Sequence, residues 1–558
     1  MVRKIFSFFY KETSTLHKAA YLLGFFAILS QVMAFVRDRL LAHMFGAGTA
    51  LDTYYAAFRI PDFLFVTIAS LVSLSVVVPF IIEKEKESKE ALHDFIDNLF
   101  SFFSIVMISV CVVLFFLMPY FSSILFKGFS GEALNEVILL SRIFLISPLA
   151  LGFSNLLGSL TQAYNRFTIY AVAPLLYNLG IILGIIFLAP QFGIMGVAIG
   201  VAVGSIMHAV IQIPFVIKIG LMPRISSRIN FNSIRKLASL SLPRTLTLSI
   251  NHVATIFMIS MASLMTAGSI SVFSLSLNIQ SVPLTVIGVS YSLAAFPTLS
   301  RHFADKNMKE FVSHMAITAR HIIFWSLPIT ALFVVIRAQI VRVLLGTGRF
   351  DWDDTRLTAA ALALFAVSTV FQSLMLLFVR AFYSAGHTRK PLIINLLSTI
   401  ILMLCTYGLV KVFYDFAGFR YFISALMKVQ DLPGNVVLML PLGYSIGTII
   451  NGVIHWIGFE KDFGGFSKEV NRTLFESFGA SVILGYVSYI GLNIFGPIFG
   501  TVTLLGVFLQ GFIAGIMGII AALGVLYLLN SRELKEVWDS IHAKFWKAKI
   551  ISPDPEVV

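Results

Sequence analysis

Apolar runs of about 20 residues recur along this chain from one end to the other, each long enough to cross a bilayer as a helix. Inside a membrane every backbone polar group must be satisfied within the protein, so only helices and closed barrels span it. Barrel strands alternate apolar and polar residues over about ten positions, whereas these runs are continuously apolar. The sequence therefore predicts an all-α polytopic membrane protein with about fourteen transmembrane helices. They are expected near 19–45, 60–82, 95–120, 135–163, 168–189, 193–217, 237–266, 271–298, 317–338, 357–381, 391–413, 434–457, 473–497 and 501–529. Composition excludes a large soluble core instead: 58% of residues are hydrophobic and 12% charged, against roughly 45–50% and about 25% in soluble domains.

The opening stretch, MVRKIFSFFYKETSTLHK, is basic and aromatic but lacks a short apolar core followed by small residues. The first apolar run, from Ala19, is thus expected to be retained as a membrane helix rather than cleaved. Cys111 and Cys405 each sit inside an apolar run. Two cysteines are too few for a disulfide framework or a Cys-based metal site, so no metal or cofactor is expected.

Most of the 41 Lys and Arg fall in segments that share one side if the N-terminus is cytoplasmic. These include Lys84, Lys86 and Lys89, then Lys218, Arg224, Arg228, Arg235 and Lys236, and later Arg301, Lys306, Lys309, Arg389 and Lys390. This is the positive-inside pattern, and with an even number of spans it places both termini in the cytoplasm. It also accounts for the net charge of +13, which faces anionic lipid and requires no nucleic acid.

The expected organisation is a cytoplasmic segment 1–18, an N-terminal lobe of six helices at 19–217 and a basic linker at 218–236. A second six-helix lobe at 237–457, two further helices at 458–529 and a cytoplasmic tail at 530–558 complete it. In the tail, Leu534, Val537, Trp538, Ile541 and Phe545 recur at helical spacing, as in an amphipathic helix lying on the inner membrane surface. The stretch from Gly48 to Pro79 resembles that from Gly268 to Pro297. Each starts at a glycine turn, enters an apolar helix through a Pro and ends at a second Pro. Parallel repeats of this kind mark transporters, with the substrate site between the halves.

Charge at membrane depth is expensive and points to function. The first span carries Arg37, Asp38 and Arg39 near its end, which either face a cavity or lie at the outer interface. Asp52, Tyr55 and Arg59 share a face if that stretch is helical, as a cavity wall or as an outer-surface ion pair. Arg142 and Arg244 are lone cations near helix ends, where snorkelling to the interface is the plain reading. Asn251, His252, Asn278 and Gln280 are polar at depth and suit helix–helix hydrogen bonds. Cations of the first, second and seventh spans facing one cavity would suit a phosphate. Asp351, Asp353 and Asp354 form an acidic turn that could take a metal, but Arg349 and Arg356 flank it, and a solvated helix cap is the plainer reading.

No Walker loop, HExxH or GxSxG motif is present, and no soluble segment is long enough for an ATPase. The chain is therefore read as a transporter and not an enzyme, driven by ions, membrane potential or substrate gradients.

Several motifs, in order, resemble one family. FVRD followed by MFGAGTALDTYYAAFRIP (Met44–Pro61), the run from Ser141 to Ile181, GTGRFDWDDTRLTAAALALF (Gly346–Phe365) and RAFYSAGHTRKP (Arg380–Pro391) are similar to the lipid II flippases, the MurJ/MviN family. The likeness extends over about residues 20–530. It implies the multidrug/oligosaccharidyl-lipid/polysaccharide exporter fold: two pseudo-symmetric six-helix lobes plus two C-terminal helices. It also implies export of undecaprenyl-pyrophosphate-linked peptidoglycan precursor across the bacterial inner membrane, with proteins of cell-wall synthesis as partners. Arg37 and Asp38 match the family's helix-1 Arg-Asp, and Asp52 and Arg59 the acidic and basic positions that follow.

The departures are specific. Phe65, Val66 and Ser70 stand where the family carries an Arg pair and a Glu. Asn278 lies near a missing Arg, Gln31 replaces a basic residue, and His387 replaces an acidic one. The resulting cavity is less cationic than is usual, and Arg244 is a candidate to supply the lost charge. Rival readings are a flippase for another lipid-linked oligosaccharide, an ion-coupled drug exporter of the same superfamily, and a non-transporting scaffold. The substrate-contacting set expected is Arg37, Asp38, Asp52, Arg59, Arg244 and Asn278.

Overall fold

The computed structural model describes residues 16–69, 74–226, 230–500 and 503–545. All regular structure among them is helical. Among the described residues, eleven helices are long and apolar enough to cross a membrane, or twelve if Trp352–Ala366 and Thr369–Ser384, bent by 44°, count as one span. Where the first and second of the expected fourteen spans fall, the structure has the helix Leu16–Phe45 and the helices Thr49–Ala57, Arg59–Leu64 and Leu74–Glu87, which are not among those eleven. Both regions carry buried or half-buried charges.

Helix starts follow local chemistry. Ser88 caps the third span, its hydroxyl accepting from the Ala91 N–H at 3.0 Å. Asn307 and Thr503 cap Met308–Val335 and Leu504–Leu528 in the same manner. Each satisfies one amide that the first turn leaves without a helical partner. The side chains facing outward are apolar: Phe116, Leu404, Phe475 and Ile520 are exposed, which is stable only against lipid.

The two stretches that resemble each other in sequence also share a backbone feature. The second span carries a π-helical turn at Phe65–Ala69, and the eighth carries one at Leu284–Val289. Each begins between four and five helical turns after its opening glycine, with the second Pro, Pro79 or Pro297, in the helix beyond. Such turns widen a helix locally and are frequent at functional sites.

Contacts group the chain into two compact units. The first comprises Met1–Leu277, Leu344–Ala361 and Thr388–Gly447, and the second Asn278–Val343, Leu362–His387 and Thr448–Val558. In the first unit, the fifth span (Phe167–Leu183) packs against the sixth (Ile194–Val210) backbone to backbone. A Cβ at Gly184 would lie 2.6 Å from the Gly200 Cα. Small residues permit this approach, and the dispersion gained holds the pair where lipid supplies no hydrophobic force. Tyr177 and Asn178 ride on that rigid seam. A core of Phe103, Met107, Leu156, Leu160 and Val216 lies beside it.

The second unit is built on an aromatic core, Phe311, Phe378, Phe382, Phe459 and Phe466. The tail forms the helix Arg532–Phe545. Its Leu534 and Val537 pack on Phe324, Leu484 and Leu526, so part of the face expected to meet lipid meets protein. Trp538 stays exposed, while the side chains of Ile541 and Phe545 lie outside the described residues. The segments 1–15 and 546–558, Ser70 and Arg228 are likewise outside them.

Candidate functional site

The charges of the first span are paired within the first unit. Arg37 donates through Nε and Nη2 to Asp38 Oδ1 at 2.9 and 2.7 Å, and through Nη1 to Asn178 Oδ1 at 3.1 Å. Asn178 is oriented in turn by its Nδ2, which donates to the Pro174 carbonyl at 3.2 Å and Ser30 Oγ at 3.4 Å. Asp38 is buried. The guanidinium is therefore held in place by the fifth span rather than free to reach an outer headgroup.

The second span contributes a different arrangement. Among the described residues, Arg59 donates only its Nε, to the Tyr55 carbonyl one turn earlier at 3.0 Å. It lies within electrostatic reach of Asp62, of Tyr55 and of His252 on the seventh span. Tyr55 is buried, and its hydroxyl has no hydrogen-bond partner among the described residues. Tyr54 and Tyr177 are within electrostatic reach of Arg37 and Asp62 alike. Arg37, Asp38, Arg59, Asp62, His252 and three tyrosines thus form one polar cluster at membrane depth, beside the π-helical turn.

Asp52 does not join it. Its Oδ2 accepts the Gly268 N–H at 2.6 Å, and its Oδ1 accepts the Ser271 N–H and hydroxyl at 2.7 and 2.6 Å. A carboxylate on the first free amides of a helix satisfies those donors and complements the helix dipole. Asp52 thereby ties the second span to the N-terminus of the eighth. No Asp52–Arg59 ion pair exists among the described residues.

Two further ties lie nearby. Asp354 Oδ2 accepts the Ala47 N–H at 3.0 Å, and the His43 carbonyl accepts the Arg349 N–H at 2.9 Å. These turns meet without clearance. Gly268, with φ +93°, leaves no room for a side chain beside the Ala47 carbonyl, and Gly348, with φ +60°, none beside His43. Both adopt left-handed backbone that glycine tolerates at little cost. In the acidic turn, Asp351 Oδ1 caps the helix by accepting the Asp354 N–H at 2.9 Å. The cap reading describes Asp351, while Asp354 reaches across to another turn.

Arg244 and Asn278 complete the expected set. The side chain of Arg244 is outside the described residues. Asn278 belongs to the second unit and its carbonyl accepts from Ser281 Oγ at 2.7 Å. Gln280 makes the helix–helix bond anticipated for it, donating to Thr369 Oγ1 at 3.0 Å. Asp62 escaped the sequence reading. The available signal was a carboxylate one turn beyond Arg59 within the same span.

An all-helical chain with an apolar exterior and a polar cluster held at membrane depth is a polytopic membrane protein of the transporter class. Comparison with known proteins gives its family. The family model described as "Lipid II flippase MurJ" matches residues 41–509, and the chain belongs to that family. Curated relatives include a "Probable lipid II flippase MurJ" of Buchnera aphidicola subsp. Schizaphis graminum, 27% identical over 68% of this chain and 75% of its own. The protein of that name in Thermotoga maritima is 24% identical over 88% of this chain and 93% of its own. A solved structure, "Lipid II flippase MurJ, inward closed conformation", shares the fold with a TM-score of 0.73 at 22% identity, covering 91% of this chain and 99% of that one. A multidrug resistance MATE family transporter of the MOP superfamily, inward-facing, shares it with a TM-score of 0.63 at 16% identity, over 78% and 96%.

Proposed function

We propose that this chain moves a lipid-linked peptidoglycan precursor, lipid II, from the inner to the outer leaflet of the bacterial cytoplasmic membrane by alternating access. The observation that carries the reading is Arg59: a guanidinium at membrane depth whose two Nη groups take no partner among the described residues. A half-buried fork of unpaired donors inside a membrane protein suits a phosphate-type anion. Arg37, already neutralised by Asp38, supports the field around it without needing to bind. Membership of the family whose model bears the flippase name supports the cargo.

The turns joined by Asp52 and Asp354 act as the outer closure, with both termini cytoplasmic. Few bonds hold this joint, so an alternative packing of modest energy can open it. No covalent chemistry is required of the chain, since translocation needs only two states with different access. The halves that exchange them are the lobes 19–217 and 237–457, with the helices of 458–529 beside them. The test is growth rescue of a bacterium depleted of its own lipid II flippase. Wild-type chain is expected to restore growth, and Arg59→Gln to fail while inserting normally. Failure of the wild-type chain despite correct insertion would argue against this cargo.

A further inference from the structure

Arg59 and Asp62 sit one helical turn apart, oppositely charged and only partly buried, yet the protein leaves both open. Arg59 commits its Nε to the Tyr55 carbonyl, and no described residue donates a hydrogen bond to the Asp62 carboxylate. The two are within electrostatic reach of each other but do not form an ion pair of the kind Arg37 makes with Asp38 at 2.7 Å. They balance one another only at a distance.

That balance fails when an anionic headgroup arrives. A phosphate on Arg59 takes the positive charge that Asp62 depended on, and leaves a second anion beside it in a low-dielectric space. The occupied site then needs a positive charge next to Asp62. Its surroundings say which kind. Tyr54 and Tyr177 lie within its electrostatic reach, and Phe58, whose carbonyl accepts the Asp62 N–H, packs its ring edge-on against Tyr54, itself edge-on to Tyr55, so the carboxylate shares this part of the second span with aromatic rings. Aromatic faces and a carboxylate together suit an ammonium group. A metal ion of the Ca2+ or Mg2+ type takes several oxygen ligands, and no group of three or more His, Cys, Asp or Glu capable of holding one occurs among the described residues.

We propose that Asp62 is a second binding subsite, taking a primary ammonium carried by the same headgroup whose phosphate Arg59 takes. The site thereby selects headgroups that bear both charges. This rests on the reading of Arg59 as the phosphate receptor.

The experiment measures binding to the full chain in lipid nanodiscs with two probes. One is a polyprenyl-pyrophosphate glycan bearing a peptide with a free amine, and the other is the same molecule with that amine acetylated. Loss of one charge-assisted contact is expected to weaken the acetylated probe about tenfold or more on the wild-type chain. Asp62→Asn should bind both probes equally, at the acetylated level, with unfolding unchanged. Arg59→Gln should weaken both while still preferring the free amine.

Equal binding of the two probes by the wild-type chain, or a preference that survives in Asp62→Asn, overturns the proposal. So does recovery of tight binding by the acetylated probe on adding sodium or lowering pH, which would assign Asp62 to a free cation. If the wild-type chain binds neither probe above a headgroup-free polyprenol, it is the phosphate reading that fails.

Discussion

Glu533 and Asp62 are both carboxylates near an arginine, and the protein treats them in opposite ways. Glu533 opens the tail helix of the second unit and is 2% exposed. Its Oε1 accepts from Thr473 Oγ1 at 2.7 Å and lies 3.5 Å from Arg320 Nε, and its Oε2 accepts from Ser531 Oγ at 3.2 Å. Asp62, in the first unit, has no such donors among the described residues. A buried charge with saturated hydrogen bonds serves the fold, because removing one partner strands the other. A charge at depth left unsaturated serves a ligand, because its desolvation is made good only when the ligand is present. The comparison separates a structural ion pair from a receptor without reference to position in the chain.

The largest effect expected tests the structural half. Glu533→Ala should cost about 3–5 kcal/mol by stranding Arg320, read as a lower unfolding temperature in detergent, with cargo affinity per folded molecule unchanged. A loss of affinity without a loss of stability would break the comparison. Arg59→Gln should do the reverse. Removal of one charge-assisted contact weakens cargo binding by about 2–3 kcal/mol, and the melting curve of the empty chain should scarcely move.

A smaller effect is expected at the turns. Asp52→Asn leaves one oxygen to serve the donors of Gly268 and Ser271, costing the joint about 1–3 kcal/mol. Thr49 lines the space around Asp52, so a Thr49→Cys probe should react faster with an impermeant thiol reagent when Asp52→Asn is added. Equal rates would remove Asp52 from the closure and return it to the candidate cargo contacts.

The smallest effect is a pH dependence. Arg356 Nη2 donates to Asp431 Oδ1 at 2.6 Å and Nη1 to its Oδ2 at 2.7 Å, and this holds the Asp431 carboxyl below the usual 3.8. A carboxyl lowered on folding stabilises above its unfolded value and loses that contribution as pH falls through its folded value. Wild type should therefore exceed Asp431→Asn slightly in stability near neutral pH and converge with it in strong acid. The pair is exposed to solvent, so salt should shrink the difference. A difference that persists in strong acid would mean the tie is not ionic.

Much of the architecture was legible before any coordinates, since membrane helices are specified locally. Continuous apolar runs mark the spans, and the two glycine-to-proline stretches were legible as a repeat, whereas the π-helical turn that each carries was not. The tail helix was legible too, but not its docking. Leu534 and Val537 have the pattern of a lipid-facing stripe, and nothing local distinguishes lipid from Phe324 and Leu484 as the apolar partner.

The site divides in the same way. The sequence by itself determined which side chains bring charge into the membrane: Arg37, Asp38, Asp52 and Arg59 could be named because a charge in an apolar run is visible without a structure. Only the tertiary structure decided what each does with that charge. The partners are remote, Asp38 being adjacent to Arg37 but Asn178 lying 141 residues away, and Asp52 meeting Gly268 across 216. Hydrogen bonds made over such separations fix whether a group is satisfied or left open. That, rather than charge itself, distinguishes the tied Asp52 from the open Arg59 and Asp62.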